Sequence, residues 1–168
     1  MKKIIAILAV AFIGIVSASN ANAIEDQWSK GTMVAGVTAG LDPWTVGGIG
    51  LGGIAFGDYV LVDSWWKGHF TVGGQLGYEG YRYADVDGRH WQSHFSVAPR
   101  VTYGLNITNQ FEVHAGIASG LAFGSGIHIY HSEFVGLHYF FSDALALTAQ
   151  VGYAWYSPSV LAGISFKF

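Results

Sequence analysis

The 168-residue chain contains no cysteine, which excludes a disulfide framework, thiolate metal ligands and thiol nucleophiles. Charge is scarce: Asp, Glu, Lys and Arg make up 11% of the residues, eight basic against eleven acidic. Without Lys2 and Lys3 six basic residues remain, a net charge of −5, and no basic field exists to hold nucleic acid. Long hydrophobic runs are missing too. After residue 23 none approaches the roughly 18–20 residues of a membrane helix, and 24 glycines spread along the chain work against helices of any kind. What is present is apolar: 51% of the residues are hydrophobic and 15% aromatic. A closed β-barrel reconciles these facts. In lipid it satisfies every backbone N–H and C=O between strands, and each strand crosses in about 9–11 residues.

At the N-terminus, Lys2 and Lys3 precede an uninterrupted apolar stretch over residues 4–16, and Ala21-Asn22-Ala23 supplies small residues for cleavage. Residues 1–23 read as a cleavable signal peptide, with a retained membrane anchor as the alternative. Residues 24–168 are then one domain.

Eight alternating segments follow, at residues 32–41, 48–61, 69–81, 94–105, 111–123, 128–141, 145–156 and 160–168. In the fourth, Phe95, Val97, Val101 and Tyr103 oppose Ser96, Arg100 and Thr102. In the fifth, Phe111, Val113, Ala115, Ile117 and Leu121 oppose Glu112, His114 and glycines. In the last, Ala162, Ile164, Phe166 and Phe168 oppose Gly163, Ser165 and Lys167. This is the apolar-out, polar-in pattern of transmembrane strands. The second segment is ambiguous, since Ile54 and Phe56 compete with Leu51, Tyr59 and Leu61 for the outward face, and a bulge is expected there. Another is expected at Pro99, which cannot donate to a ladder.

The fold class is therefore all-β: an eight-stranded antiparallel up-and-down transmembrane β-barrel, with both termini on one side. Turns over 62–67, 106–110 and 142–144 fall on that side, loops over 42–47, 82–92, 124–127 and 157–159 on the other. Aromatic girdles mark both interfaces. Trp65, Trp66, Tyr103, Phe111, Tyr139, Phe141, Phe166 and Phe168 lie near the first, and Tyr78, Tyr81, Trp91, Phe123, Tyr153 and Trp155 near the second. A soluble β-sandwich or lipocalin-like barrel would turn its apolar face inward, and here the glycine-rich polar face lacks the bulk to fill such a core.

Four segments, Val72-Gly73-Gly74-Gln75-Leu76-Gly77-Tyr78, Asn106-Ile107-Thr108-Asn109-Gln110-Phe111-Glu112-Val113-His114-Ala115-Gly116, Tyr139-Phe140-Phe141-Ser142-Asp143 and Gly163-Ile164-Ser165-Phe166-Lys167-Phe168, resemble those of the small eight-stranded outer-membrane barrels related to OmpX and the membrane domain of OmpA, in the porin-like outer membrane protein β-barrel family. The resemblance implies a Gram-negative outer-membrane location after export through the periplasm. It also implies contact with outer-membrane lipid and lipopolysaccharide, and assembly machinery that reads the terminal Phe166 and Phe168.

Such folds host many activities, so function must come from a site. Glu79, Arg100, Glu112, His114, His138, Gln150 and Lys167 project inward on these registers. An eight-stranded interior is only wide enough for side chains to fill, so they read as an ionic plug, although Gly104 and Gly116 leave room beside Arg100 for a narrow water path. Seven histidines raise the question of metal binding. His90 and His94 share a face and His128 and His131 flank a hairpin, but neither pair has a carboxylate or cysteine at an established ligand spacing, and no metal or cofactor is assigned.

Some small barrels modify lipid A. The deacylases among them carry His-x-Ser on the penultimate strand, where this chain has Gly152-Tyr153-Ala154-Trp155-Tyr156, and His131-Ser132 are adjacent and face opposite ways. The palmitoyltransferases begin with an amphipathic helix that residues 24–30 are too few to supply. No enzyme is expected. The loop carrying Arg82, Tyr83, Asp85, Asp87, Arg89, His90 and Trp91 is the one external loop large enough for a surface ligand, whose identity stays open. The expectation is a monomer with a structural or cell-surface role. A narrow porin-like channel is the alternative, and a lipid A-modifying enzyme a more distant one.

Overall fold

The computed structural model describes residues 28–43, 49–66, 68–85 and 88–168, the side chains of 83–85 and 89 excepted. The expected signal peptide and most of the first far loop lie outside the described residues. Eight strands follow in order: β1 (Met33–Asp42), β2 (Gly50–Trp65), β3 (Gly68–Asp85), β4 (Gly88–Asn106), β5 (Phe111–Phe123), β6 (Ile127–Phe140), β7 (Leu145–Trp155) and β8 (Val160–Lys167). Each pairs antiparallel with its neighbour, and β1 pairs with β8 from Val34↔Lys167 to Leu41↔Val160, closing the barrel. Beyond β8, Met33 and Phe168 exchange both backbone hydrogen bonds, at 3.1 and 2.8 Å.

Side-chain parity explains why this sequence closes in this way. Val37, Leu76, Phe95, Ile117, Leu147, Val151 and Ile164 are exposed on the outer wall, while Thr38, Gln75, Ser96, Arg100, Thr148 and Ser165 are buried inside. A soluble barrel has the reverse arrangement; an apolar wall around a polar interior is the form solvated by lipid. Aromatic clusters mark both rims. At the rim holding the termini, Phe70 packs between Trp65 and Tyr103 with ring centroids 4.7 and 4.9 Å away, and the Tyr103 hydroxyl donates to the Trp66 carbonyl at 2.9 Å. Near the other rim Tyr78 meets Phe95 at 5.0 Å, and the Trp155 indole donates to the Tyr153 hydroxyl.

Several expectations are corrected. The ambiguity in β2 resolves by plain alternation: Leu51, Tyr59 and Leu61 point out while Ile54 and Phe56 are buried inside, because the barrel needs their bulk to fill its centre. The register shifts come later, between Val60 and Val62 and between Val62 and Trp65, where β2 runs on through the expected turn at 62–67. Pro99 causes no shift. It pairs with Gly74 in an unbroken β3–β4 register, and the β4–β5 ladder skips the pairs between Val97↔Leu121 and Arg100↔Ala118 without changing register.

The expected loop over 82–92 is strand for most of its length. The β3–β4 ladder continues from Tyr81↔Gln92 to Asp85↔Gly88, since β-forming aromatics flank the tip and Gly88, at φ +133°, adopts the backbone the turn requires. Tyr81, expected in the outer girdle, turns inward and stacks on His94 at 5.8 Å. Val113, expected against lipid, is buried, flanked in register by Leu105 and Leu137.

Candidate functional site in the barrel lumen

The lumen is filled in layers. At its middle lies Arg100, 2% exposed. Its guanidinium is sandwiched between the rings of Phe56 and Phe134, 4.5 and 4.7 Å from their centroids. Its Nε is 3.1 Å from Asp58 Oδ1, a close charge contact without hydrogen-bond alignment, and Nη1 donates to Gln75 Oε1 at 3.5 Å. Gln75 in turn donates to the Tyr130 hydroxyl at 2.6 Å. A buried guanidinium is tolerable only with such company: a carboxylate, aromatic faces and amide acceptors together offset its lost hydration.

Toward the termini, Glu112 stands among three imidazoles. Its Oε1 is 3.4 Å from His114 Nδ1 and 3.8 Å from His69 Nε2, and its Oε2 is 4.0 Å from His138 Nε2. Strand geometry explains the convergence. Glu112 and His114 are two apart on β5, hence on one face, and the register sets Glu112 opposite His138 on β6. His69 arrives from the start of β3, where Gly104 of β4 is its partner. His138 Nδ1 lies 2.8 Å from Thr148 Oγ1 and 3.1 Å from Ser165 Oγ, and Gln150 Nε2 lies 3.3 Å from His114 Nε2.

Trp28, just ahead of β1, closes this half from below. It is buried, stacks on His69 at 4.3 Å and meets Phe140 edge-on at 5.8 Å. Lys167 is half-buried at the rim, with Nζ 4.9 Å from the Phe140 ring centroid.

Toward the far rim tyrosines surround the imidazoles and the two carboxyls meet each other. His94 packs between Tyr81 and Tyr156, and His128 stacks on Tyr156 at 5.0 Å. Glu79 is buried on β3 in register with His94 and shares a side-chain hydrogen bond with Asp42, which also accepts from Ser159 Oγ at 2.8 Å.

Of the residues expected inside, Glu79, Arg100, Glu112, His114, His138 and Gln150 are all buried in the lumen. Sequence reasoning missed Asp58, His69 and Trp28. His69 shares parity with Thr71 on the inward face of β3, and that parity was the available signal; Asp58 lies on β2, whose facing was ambiguous, and Trp28 precedes every strand and gave none. The room expected beside Arg100 is taken. A Cβ at Gly104 would meet His69 Nε2 at 2.4 Å and Glu112 Oε1 at 2.6 Å, and one at Gly116 would meet Phe134 Cζ at 2.5 Å. A void beside Gln75 and Gln150 measures about 10 Å³, at most the room of a single water.

His90 and His94 do not act as a pair. His94 is buried with its ring 6.1 Å from His128, and His90 is exposed. His131 lies outside the lumen, 3.3 Å from Glu133. Phe166 and Phe168 are exposed on the outer wall at the rim. In the expected surface loop, Arg82, His90 and Trp91 are exposed strand residues; Asp87 and the side chains of Tyr83, Asp85 and Arg89 lie outside the described residues.

No family model matches the chain, and no curated protein sequence does. Among solved structures it is similar to the Yersinia pestis outer membrane protein Ail in a phospholipid bilayer nanodisc, at 14% identity and a TM-score of 0.51, covering 83% of this chain and 100% of that one. A crystal structure of Ail, the attachment invasion locus protein of Yersinia pestis, in complex with the heparin analogue sucrose octasulfate, matches over the same shares at 13% identity and a TM-score of 0.50. The shared property is the fold, that of a small eight-stranded outer-membrane barrel.

Proposed function

We propose that the chain is a bacterial outer-membrane protein, exported through the periplasm, whose sealed barrel has a structural or cell-surface role and neither transports nor catalyses. The Arg100 layer carries this reading. A guanidinium held between two aromatic rings and paired with Asp58 blocks the lumen at its centre, and rings occupy both halves beyond it. Outer-membrane lipid and lipopolysaccharide are the partners of the apolar wall, and the assembly machinery is the partner of Phe166 and Phe168, in a protein that works as a monomer. The extended β3–β4 hairpin is the feature best placed to meet a surface ligand. It carries Arg82 and Arg89 against Asp85 and Asp87, a balance that offers no net attraction to a sulfated glycan of the kind bound by the neighbouring structure.

Planar-bilayer recording tests the seal. The folded, inserted wild-type chain is expected to stay silent, whereas discrete steps that change in Arg100→Ala or Glu112→Ala would overturn the plug and establish the channel reading. The lipid-facing wall has its own test. Val151 is exposed on β7, paired with Val135 and Val160, and Val151→Arg is expected to cost ~2–4 kcal/mol in bilayer unfolding titrations if it sits near the midplane. Unchanged stability would place that face away from lipid.

A further inference from the structure

We propose that Glu112, His114 and His138 bind one divalent transition-metal ion inside the barrel, three protein donors that leave one coordination position open. One ligand atom from each of the three lies within 4.8 Å of the others, and all three residues are buried. A tetrahedral ion with bonds of ~2.0–2.1 Å needs donors about 3.3 Å apart. His114 Nδ1 and Glu112 Oε1 are already at 3.4 Å, while His138 Nε2 lies 4.0 Å from the other carboxylate oxygen, Oε2, and has to move closer to share an ion with them. His69 Nε2, 3.8 Å from Glu112 Oε1 and stacked on Trp28, stands beside this trio without belonging to it.

Two further observations point to a ligand. Glu112 Oε2 and His114 Nδ1 are buried polar atoms with no hydrogen-bond partner, a cost a protein rarely bears without use. The outer nitrogens are also arranged as in metal sites, where each ligating histidine has its second nitrogen fixed by a neighbour. His138 Nδ1 faces the hydroxyls of Thr148 and Ser165, so an Nδ1–H tautomer leaves the Nε2 lone pair facing Glu112. His114 Nε2 faces the Gln150 amide, which after a half-turn accepts its proton and frees the Nδ1 lone pair. Gly104 and Gly136 complete the cradle, since a Cβ at either would come within 2.4–2.5 Å of a His69 or His114 nitrogen. Imidazoles with one carboxylate suit zinc and its first-row neighbours; calcium and magnesium prefer all-oxygen sites. Among the described residues this is the one such trio, and the far half of the lumen, with His94 and His128 wrapped in tyrosines, has none.

The test uses the untagged chain purified folded from membranes, titrated with Co²⁺ and then Zn²⁺. About one equivalent of Co²⁺ is expected to bind with the visible absorption of a low-coordinate nitrogen–oxygen site, and Zn²⁺ should displace it. Glu112→Gln and His138→Ala are expected to weaken Zn²⁺ binding at least tenfold, and Thr148→Val, which removes the hydroxyl that meets the outer nitrogen of His138 and Ser165 Oγ, roughly 10- to 100-fold. The His90→Ala/His131→Ala double variant should bind as wild type. Should His138→Ala fail to fold by circular dichroism, Glu112→Gln and Thr148→Val decide. The proposal is overturned by a folded wild-type chain that binds no Co²⁺, by unchanged affinity in Glu112→Gln, or by loss of binding in the double variant, which would put the ion on the outer surface.

Discussion

The two halves of the lumen contain the same kinds of buried groups, carboxylates and imidazoles, and arrange them in opposite ways. Below Arg100, three histidines from β3, β5 and β6 converge on Glu112, and small hydroxyls and an amide occupy the outer nitrogens of His138 and His114. Above Arg100, Glu79 and Asp42 pair with each other, His94 meets the rings of Tyr81 and Tyr156 and no carboxylate gathers the imidazoles, and alanines at 98, 118 and 122 pack around Tyr130. The upper half is arranged like a protein core that contains histidine, and the lower like a polar centre gathered around one carboxylate. Buried polar residues are therefore poor guides to function until their mutual distances are known.

Removing the boundary between the halves should have the largest effect. Arg100→Leu leaves Asp58 buried without its partner, and breaking a buried pair from one side costs ~3–5 kcal/mol. The urea midpoint in detergent should fall accordingly. Adding Asp58→Asn should recover a substantial part, because the uncompensated charge is then gone. A single variant as stable as wild type would mean that the halves are already separated by the rings of Phe56 and Phe134 alone.

How much of this was legible beforehand follows the same physics. Where lipid constrains the wall, outward positions are mostly apolar, so strand number, order and most of the facing could be read, and the bounds of β5, residues 111–123, agree at both ends although Val113 is buried. Past the rims that constraint ends. The continuations of β2 to Trp65 and of the β3–β4 hairpin to Asp85 and Gly88 rest on cross-strand pairing, for which a single chain offers little signal. Inside the barrel, Glu112, His114 and His138 could each be assigned to the lumen, but their convergence depends on the shear of the closed sheet. That depends on registers between strands, which alternation along one strand does not determine. The bulky Ile54 and Phe56 obscured the parity of β2, and with it the inward position of Asp58.

A pair of glycines sharpens the comparison between halves. A Cβ at Gly136, in the lower half, would sit 2.5 Å from His114 Nε2 and 2.7 Å from the Ala149 carbonyl oxygen, whereas one at Gly77, in the upper half, would meet Ser96 Oγ at 2.4 Å and nothing else closer than 3.7 Å. The serine hydroxyl can rotate away, but the carbonyl oxygen is backbone and cannot move without the ladder. Gly136→Ala should therefore cost ~1–3 kcal/mol as overpacking, while Gly77→Ala should be close to neutral. Equal costs in chemical unfolding would mean that the two halves yield alike and that the lower centre is no more rigidly built than the upper.

The smallest expected effect has the opposite sign and isolates the lumen from the wall. At Gly57 on β2 a Cβ would meet nothing within 4 Å, and the residue is not among those with positive φ. Its neighbours in the outer wall include Gly74, Leu76 and Pro99, which border a shallow open notch. An alanine there fits without displacing anything and reduces the freedom of the unfolded chain, so Gly57→Ala should stabilise the barrel by ~0.4–1 kcal/mol. If it destabilises as much as Gly136→Ala, the cost of an added methyl comes from strand curvature throughout the barrel, and the tightness attributed to the histidine centre loses its special status. If it stabilises, the packing that resists substitution is confined to the lumen, and the lower half is where it holds ligating atoms in place.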